Sequence, residues 1–246
     1  MEVHAHSHTP RKKWTHYFWE FLMLFLAVTL GFFVENQREH YIEHQREIKF
    51  IKSLASDLQA DIVRLNHIVQ QRENRAQLMD SFMLVLNRPD AETYGSDLYY
   101  YNSFATRGGA FRFIPVDGTM QQLKNAGNLR LIRKSNVSDS ILDYDVASRS
   151  YTWGNQDEEE IMDTYRNVAE SIFDGRVLSA MRDTDNNVYR ADGNPPLKQN
   201  ADALFRLNYR IHMLTVFNKT LRRDARNLLG KAISLLAMLK KEYHLK

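Results

Sequence analysis

Three histidines alternate with other residues at the start of the chain. His4, His6 and His8 lie in the segment HAHSH, and an extended tail can bring two or three of them to one ion. Neutral imidazoles are good ligands for zinc, copper or nickel. A tail lacks the surrounding hydrogen bonds that orient metal ligands in folded sites. The segment therefore has two interpretations, a metal-binding tail or a solvated tail beside a membrane.

A second pair of histidines has the spacing of one helical turn. His40 and His44 are four residues apart, and Glu43 directly precedes the second histidine. Such a pair can hold a metal, but a complete site needs further ligands from another element or chain. The letters of residues 40–44 match the inverted zincin motif HxxEH. That enzyme class also needs a downstream glutamate in a folded catalytic domain, so we expect no peptidase activity here.

Sequence motifs of the common enzyme classes are absent. The chain has no GxSxG segment, P-loop, Rossmann glycine motif or kinase signature. It contains 0 cysteines, which excludes thiol catalysis, disulfides and cysteine-ligated metals. Its net charge is only +3, and no nucleic-acid-binding motif accompanies the basic residues. We therefore expect no catalytic residue, no cofactor, no enzyme activity and no nucleic-acid partner.

The elements that position these residues begin with an apolar segment at 14–34, WTHYFWEFLMLFLAVTLGFFV. Residues 21–34 carry no charge and extend about 21 Å as a helix, against a bilayer core of about 30 Å. Including residues 17–19 brings the apolar length close to a full span. Basic and aromatic residues typical of a membrane interface flank or begin the segment: Arg11, Lys12, Lys13, Trp14, Tyr17 and Trp19. The pattern predicts one transmembrane helix.

A cleaved signal peptide and a buried core helix are the two alternatives to this span. The segment ends in the bulky sequence GFFV, so the small residues of a cleavage site are missing. Its apolar character all round the helix disfavours a core helix. The basic cluster before the span favours a cytoplasmic N-terminus. We expect an uncleaved signal-anchor of a single-pass protein, with residues 35–246 outside the cytoplasm.

Two features inside the span point to partners in the membrane. Ala27 and Gly31 are four residues apart, a pair of small residues that permits close approach of another helix. Glu20 is an intramembrane acid, which is often functional, although at the edge of the span it can also reach the headgroups. The expected partners are the lipid bilayer and either further copies of this chain, in a homo-oligomer, or another membrane protein.

After the span, the spacing of apolar residues predicts a helical domain. Residues 35–87 have apolar side chains every three or four positions, as in a coiled coil, and residues 199–244 repeat the pattern. Residues 88–198 combine loops with short helices, predicted at 117–127, 135–153 and 155–174. The fold class is therefore mostly α. The N-terminal transmembrane helix continues into a long helix, which packs in an antiparallel helical bundle.

For two sets of residues in this domain, the role depends on how the chain folds. The charged residues of the first long helix, among them Asp61, Arg72 and Arg75, are interpreted as a solvated face, although Arg72 interrupts the apolar stripe. Residues 94–113 are rich in tyrosine and phenylalanine. They predict either a loop and short helix that cap the bundle or an aromatic-lined site for a ligand or partner.

The segments HAHSHTPRKKWTHYFWEFLMLFLAVTLGFFVENQREH and TMQQLKNAGNLRLI resemble a group of uncharacterised single-span membrane proteins. These carry a domain of unknown function and are frequent in Bacteroidetes-type bacteria. The resemblance covers the N-terminal third well and the middle weakly. It implies a membrane anchor followed by a helical domain, and it supplies no activity and no catalytic residue. With the expected orientation, it places the span in the bacterial inner membrane and the C-terminal domain in the periplasm.

These patterns favour a noncatalytic, membrane-anchored helical protein that is structural, scaffolding or sensing through its extramembrane domain. The N-terminal tail of residues 1–13 is too short for an output domain, so a signal requires a partner protein. One alternative is an accessory subunit of a larger membrane complex that uses Ala27, Gly31 and Glu20 against other spans. The other alternative is a metal-dependent hydrolase built on His40, Glu43 and His44, which the sequence disfavours.

Overall fold

The computed structural model describes residues 13–106, 111–125, 127–198 and 201–245. Short 3-10 turns at Ala91–Tyr94 and Asn128–Leu131 accompany the α-helices. The α-helices are α1 (Trp14–Leu86), α2 (Gly95–Ala105), α3 (Gly118–Asn125), α4 (Ser135–Ala169), α5 (Gly175–Ala180) and α6 (Ala201–Tyr243). No strand occurs within the described ranges. The predicted fold class, a mostly α helical bundle with a long N-terminal helix, is confirmed.

Helix α1 contains 73 residues and includes the whole apolar segment. It ends just before Arg88-Pro89, as expected, because the residue before a proline avoids the helical conformation. The chain divides into two compact units, Met1–Lys49 and Phe50–Lys246, and the division falls inside α1. In the described part of the first unit, residues 14–49 are the N-terminal half of this helix. The second unit contains the rest of α1 and all the other helices.

In the second unit, α1, α4 and α6 form a three-helix bundle. Helix α1 runs parallel to α4, since Asp61 bonds to Tyr144 and Arg72, further along α1, bonds to Asn155. Helix α6 runs antiparallel to α1. Its beginning contacts the end of α1, where Asn208 hydrogen-bonds to Asn87. The antiparallel packing expected of the two longest helices is therefore present.

Helix α4 is longer than the sequence predicts. The helices expected at 135–153 and 155–174 are one helix, because Gly154 continues the helix instead of ending it. A Cβ atom at Gly154 would lie 2.7 Å from Cδ2 of Leu221, so this glycine allows α4 and α6 to pack closely. Lys134 occupies the position directly before α4 and makes no side-chain hydrogen bond that caps the helix. By contrast, Gly127 has a φ of 63°, the left-handed conformation expected after α3.

The core of the second unit consists of two apolar clusters. The first contains residues such as Ile51, Leu65 and Leu228, and the second contains residues such as Met79, Met162 and Leu207. On each long helix, polar residues separate the two clusters. They belong to one buried set, the polar layer, whose members are Arg72, Arg75, Tyr151, Asn155, Glu158 and Asn218. Its tyrosine packs at the edge of the first cluster.

The aromatic region at 94–113 is largely core. It forms α2, and the side chains of Tyr99, Phe111 and Phe113 are buried. Tyr99 packs edge-on against Phe173, with ring centroids 5.0 Å apart, and its hydroxyl accepts a hydrogen bond from the backbone amide of Asp174. The interpretation as a cap on the bundle therefore fits these residues better than a ligand site.

Candidate functional site

The apolar beginning of α1 is exposed in the structure. It is long and apolar enough to cross a membrane. The mean hydropathy of its most apolar 18 residues is 1.9, and none of these residues is buried. This exposure disfavours the alternative interpretation as a buried core helix. A helix of this length and composition is therefore a candidate membrane span.

The predicted membrane-interface residues lie at the start of this helix where they are described. Trp14, Tyr17 and Trp19 are all more than half exposed, and Trp14 stacks on Phe18 at 6.4 Å between ring centroids. Lys13 is exposed directly before the helix. Arg11 and Lys12 lie outside the described residues. The arrangement is that of an aromatic and basic collar, which suits a membrane–water boundary.

The features predicted inside the span are also exposed. Glu20 contacts His16 one turn earlier, with 3.0 Å between Nε2 and a carboxylate oxygen. Ala27 and Gly31 lie on the surface, and a Cβ atom added at Gly31 would meet nothing within 4 Å. Another helix has space to pack closely against this face, as the two small residues predict.

The predicted metal ligands do not form a complete site among the described residues. His4, His6 and His8 lie outside those residues. His40 and His44 are on α1, with their Nδ1 atoms 3.9 Å from Glu43 and 3.3 Å from Glu47 respectively. No group of three or more histidine, aspartate or glutamate side chains in the described part of the chain is placed to hold a metal. Metal binding by the histidines stays a prediction that needs ligands from elsewhere.

The polar layer is centred on Arg72, whose side chain is fully buried. Its Nη1 and Nη2 atoms donate to the two oxygens of Glu158 at 3.0 and 2.9 Å. Further donors of the same guanidinium reach Tyr151, Asn155 and Asn218 at 3.0 to 3.2 Å. Asn218 in turn donates to the backbone oxygen of Arg72 at 3.0 Å. One arginine thus joins α1, α4 and α6 by hydrogen bonds.

Arg75 adds a second buried cation to the layer. It donates to Glu158 at 2.7 Å and to the backbone oxygen of Ala105 at 3.2 Å, and it lies over the ring of Phe111 at 4.8 Å. Burial alone raises the pKa of Glu158, but the hydrogen bonds and charges of the two arginines outweigh it. The pKa of Glu158 therefore lies below its usual range, and the carboxylate is ionised at neutral pH.

This network corrects the interpretation of the charged residues as a solvated face. Asp61, Arg72 and Arg75 are each at most 3% exposed. The signal was present in the sequence, since Arg72 falls within the apolar stripe at helical spacing from Leu65 and Met79. A charge in that position is buried with a partner far along the chain, and the spacing within α1 does not identify that partner.

A cavity opens between α1, α3 and α4, and the buried acids Asp61 and Asp145 both line it. Asp61 accepts hydrogen bonds from the backbone amide of Val116 at 2.9 Å and the hydroxyl of Tyr144 at 2.8 Å. Burial raises the pKa of Asp61, because these bonds and the charge of Arg64 do not outweigh the loss of water. The cavity has a volume of about 60 Å³, and Asp57 also lines it.

The described residues contain no group of three metal-ligating side chains placed to hold an ion. What the chain presents is an exposed apolar helix, a buried polar layer and a cavity in the bundle. Comparison with protein-family models, with curated proteins and with solved structures found no match. The resemblance to single-span bacterial membrane proteins therefore stays a prediction.

Proposed function

We propose that this protein is a noncatalytic, membrane-anchored helical module that acts as a scaffold or sensor through its extramembrane domain. One observation carries the proposal. Helix α1 begins with an exposed apolar segment and ends as a core helix of a bundle, without a break. Exposed apolar side chains at this density are costly in water and favourable in a bilayer.

A shared helix also suits sensing. The backbone hydrogen bonds of α1 are continuous from the candidate span to the residues of the core. A shift or rotation of one end of a helix is a common way to pass a signal along it. We expect the output of such a signal to be a change in a partner protein.

The anchoring test uses charged substitutions on one helix. In the double variant Leu24→Arg and Val28→Arg, arginines lie near the middle of the candidate span, where each costs about 2.5–3.5 kcal/mol of insertion free energy. We expect this variant to be extracted from membranes by alkaline carbonate, whereas the native chain is retained. The matched control is Val63→Arg with Leu84→Arg, since both are exposed apolar residues of α1 outside the span. Equal retention of all three proteins would contradict anchoring through residues 14–34.

Orientation has a separate test that uses the absence of cysteine. A single cysteine at Asp192, which is exposed, or at Lys13 gives a label without background from other cysteines. In cells with a permeabilised outer membrane, a membrane-impermeant maleimide should label Asp192→Cys and leave Lys13→Cys unlabelled. The opposite pattern would place the domain in the cytoplasm while leaving the anchor itself unaffected.

An accessory subunit of a larger membrane complex is the second candidate, favoured by the open face around Ala27 and Gly31. Purification in mild detergent with mass measurement distinguishes an accessory subunit from a stand-alone module. A co-purifying channel, motor or transporter supports the subunit, and a homo-oligomer alone supports the stand-alone module. Gly31→Ile should disrupt either assembly through this face, whereas Val63→Ile on the same helix should not.

A further inference from the structure

We propose that this chain binds a second copy of itself, with the outward side of α4 in one copy packed along the outward side of α6 in its neighbour. The proposal rests on the proposed function, because chains anchored in one membrane have the same orientation. It deepens that function by naming the partner as a second copy and the surface that the two copies share.

The outward side of α4 begins with a row of large apolar side chains. Leu142, Val146 and Trp153 are 38, 56 and 61% exposed, and their spacing of four and seven residues puts them on one side of the helix. Single exposed apolar residues are common on protein surfaces, but a row that includes a tryptophan is typical of a contact with another protein. Tryptophan is also among the residues that contribute most to binding free energy.

The row continues into two acids that lack a cation. Asp157 and Glu160 are exposed and lie on the same side of α4, four and seven residues after the tryptophan. Neither forms an ion pair or a side-chain hydrogen bond with another described residue. By contrast, Glu158, Glu159 and Asp163 each pair with an arginine. A partner that binds this side of α4 should therefore carry positive charge opposite the two acids.

The outward side of α6 supplies cations and space. Lys219 and Arg223 lie one turn apart, with side chains 45 and 70% exposed. Lys219 pairs with Asp80, and Arg223 contacts the adjacent Asp224 at 3.2 Å. Further along the same side, a Cβ atom added at Gly230 would meet nothing within 4 Å, and Gly230 lines an open groove of about 540 Å³ between α4 and α6. A large apolar side chain of another protein has room there.

Three approaches between α4 and α6 within one copy show which residues are at equal height: Lys134 with Glu242, Asp143 with Lys231, and Gly154 with Leu221. Because the two helices are antiparallel, each step forward along α4 is level with a step back along α6. The same offset gives three pairs of outward residues at equal height: Val146 with Gly230, Trp153 with Arg223, and Asp157 with Lys219.

In a neighbouring copy of the same orientation, residues of equal height meet across the contact. The side chain of Val146 then fills the space over Gly230. The guanidinium of Arg223 lies against the ring of Trp153, which is a favourable cation–π contact. Lys219 supplies positive charge to the two acids without a cation. Within one copy these residues are exposed, so the contact is open to a second chain.

Contacts between like helices fit these surfaces less well. Two α4 helices side by side would place Asp157 and Glu160 against their own counterparts, and two α6 helices would do the same with Lys219 and Arg223. Like charges that face each other act against an interface. The contact of α4 with α6 is the one in which the charges of the two sides are complementary.

Cysteine cross-linking tests the contact, because the chain has no cysteine of its own. Two differently tagged full-length chains are co-expressed, one with Val146→Cys and the other with Gly230→Cys, and their membranes are treated with a short bis-maleimide. We expect a cross-linked dimer that carries both tags. The matched control replaces Val146→Cys by Val63→Cys, which is exposed and at the same height on α1, since the nearby Asp61 bonds to Tyr144. The control should give no such dimer.

Absence of the cross-link between Val146→Cys and Gly230→Cys, or equal cross-linking of the Val63→Cys control, would overturn the proposal. A cross-link to a different protein in place of the second copy would also overturn it. Alkaline carbonate extraction of the same membranes reports on the anchor separately. A contact that fails in chains retained by the membrane therefore leaves the proposed anchor intact.

Charge reversal tests the same contact in the otherwise native chain. Asp157→Lys should weaken self-association in mild detergent at least about tenfold, because it places two lysines opposite each other. Adding Lys219→Glu to the same chain should restore association, since opposite charges then face each other again. The pair of Lys219 with Asp80 is exposed, so its loss should cost little stability.

The control for charge reversal is Asp192→Lys, an equal change of charge at an exposed residue outside both helices. It should associate as the native chain does. Sedimentation velocity measures the dissociation constant of each variant. Unchanged association of Asp157→Lys, equal weakening by Asp192→Lys, or no recovery in the double variant would show that these charges do not face each other between copies.

Discussion

Two acidic sites on the same three-helix bundle have opposite electrostatics. In the polar layer, Glu158 is buried between two arginines, and its pKa is lowered. In the cavity, Asp61 is at least as well buried but has no ion pair with a described lysine or arginine, and its pKa is raised. Their α1 residues Asp61 and Arg72 are about 16 Å apart along the helix. Both carboxyls are therefore buried. The pKa is lowered where arginines bond to the carboxylate and raised where no described lysine or arginine does.

The difference indicates what each site contributes. The polar layer between two apolar clusters fixes the register of three helices, because a shift along any of them breaks bonds to Arg72. In this layer the Nε atom of Arg75 is buried without a hydrogen-bond partner, as is the Oδ2 atom of Asp57 beside the cavity. The carboxylate of Glu158 is bonded to two cations and that of Asp61 to none that is described, so substitutions at the two sites should have different consequences.

The largest effect is expected from Glu158→Gln. It leaves the guanidiniums of Arg72 and Arg75 buried without a carboxylate, so the free energy of unfolding should fall by about 3–5 kcal/mol. Chemical denaturation of the full chain in mild detergent measures it. Glu159→Gln is the matched control on the same helix, because its ion pair with Arg166 is partly exposed and should cost less than about 1 kcal/mol. Similar losses of unfolding free energy in both variants would mean that the buried layer stabilises the fold no more than a surface ion pair does.

Arg72→Lys tests whether the layer depends on charge or on geometry. Lysine keeps the positive charge but cannot reproduce the bonds that arginine makes to Glu158, Tyr151 and Asn155 together. The expected loss is about 2 kcal/mol, since at least one buried polar group loses its partner. The same denaturation experiment measures it. A change below about 0.5 kcal/mol would mean that the charge alone stabilises the layer.

The pH dependence of stability should have opposite signs at the two sites. Glu158 has a lowered pKa when folded, so its contribution is present above the unfolded value of about 4.3 and is lost as pH falls through the folded pKa. Asp61 has a raised pKa, so the folded chain takes up its proton first. Its contribution is fully present below about pH 3.9 and is lost as pH rises through the folded value.

The measurement compares the native chain with each neutral variant from pH 7 to about pH 2.5. Relative to Asp61→Asn, the native chain should become more stable as the pH falls. Relative to Glu158→Gln, it should become less stable below about pH 4.3. Tyr144, Asp57 and Arg64 influence Asp61 and are unchanged in both comparisons. Slopes of the same sign would contradict the assignment of opposite pKa shifts.

The helices could be predicted from the sequence, but the two sites could not. The apolar spacing of α1 and α6 and the proline after Arg88 set their ends within two residues. Gly154 misled the prediction because a glycine inside a helix and one that ends it look alike without the neighbouring helix. The partners of Arg72 lie 79 to 146 residues away on other helices, so no local pattern reveals them.

The smallest expected effect is that of Asp57→Asn. The substitution removes a charge whose buried Oδ2 atom has no donor, so the free energy of unfolding should stay the same or rise by up to about 1 kcal/mol. This differs in sign from Glu158→Gln, although both replace one acid by its amide. Thermal unfolding of the full chain measures it. A loss above about 1 kcal/mol would mean that the chain itself stabilises the Asp57 charge, and the two sites would then be alike.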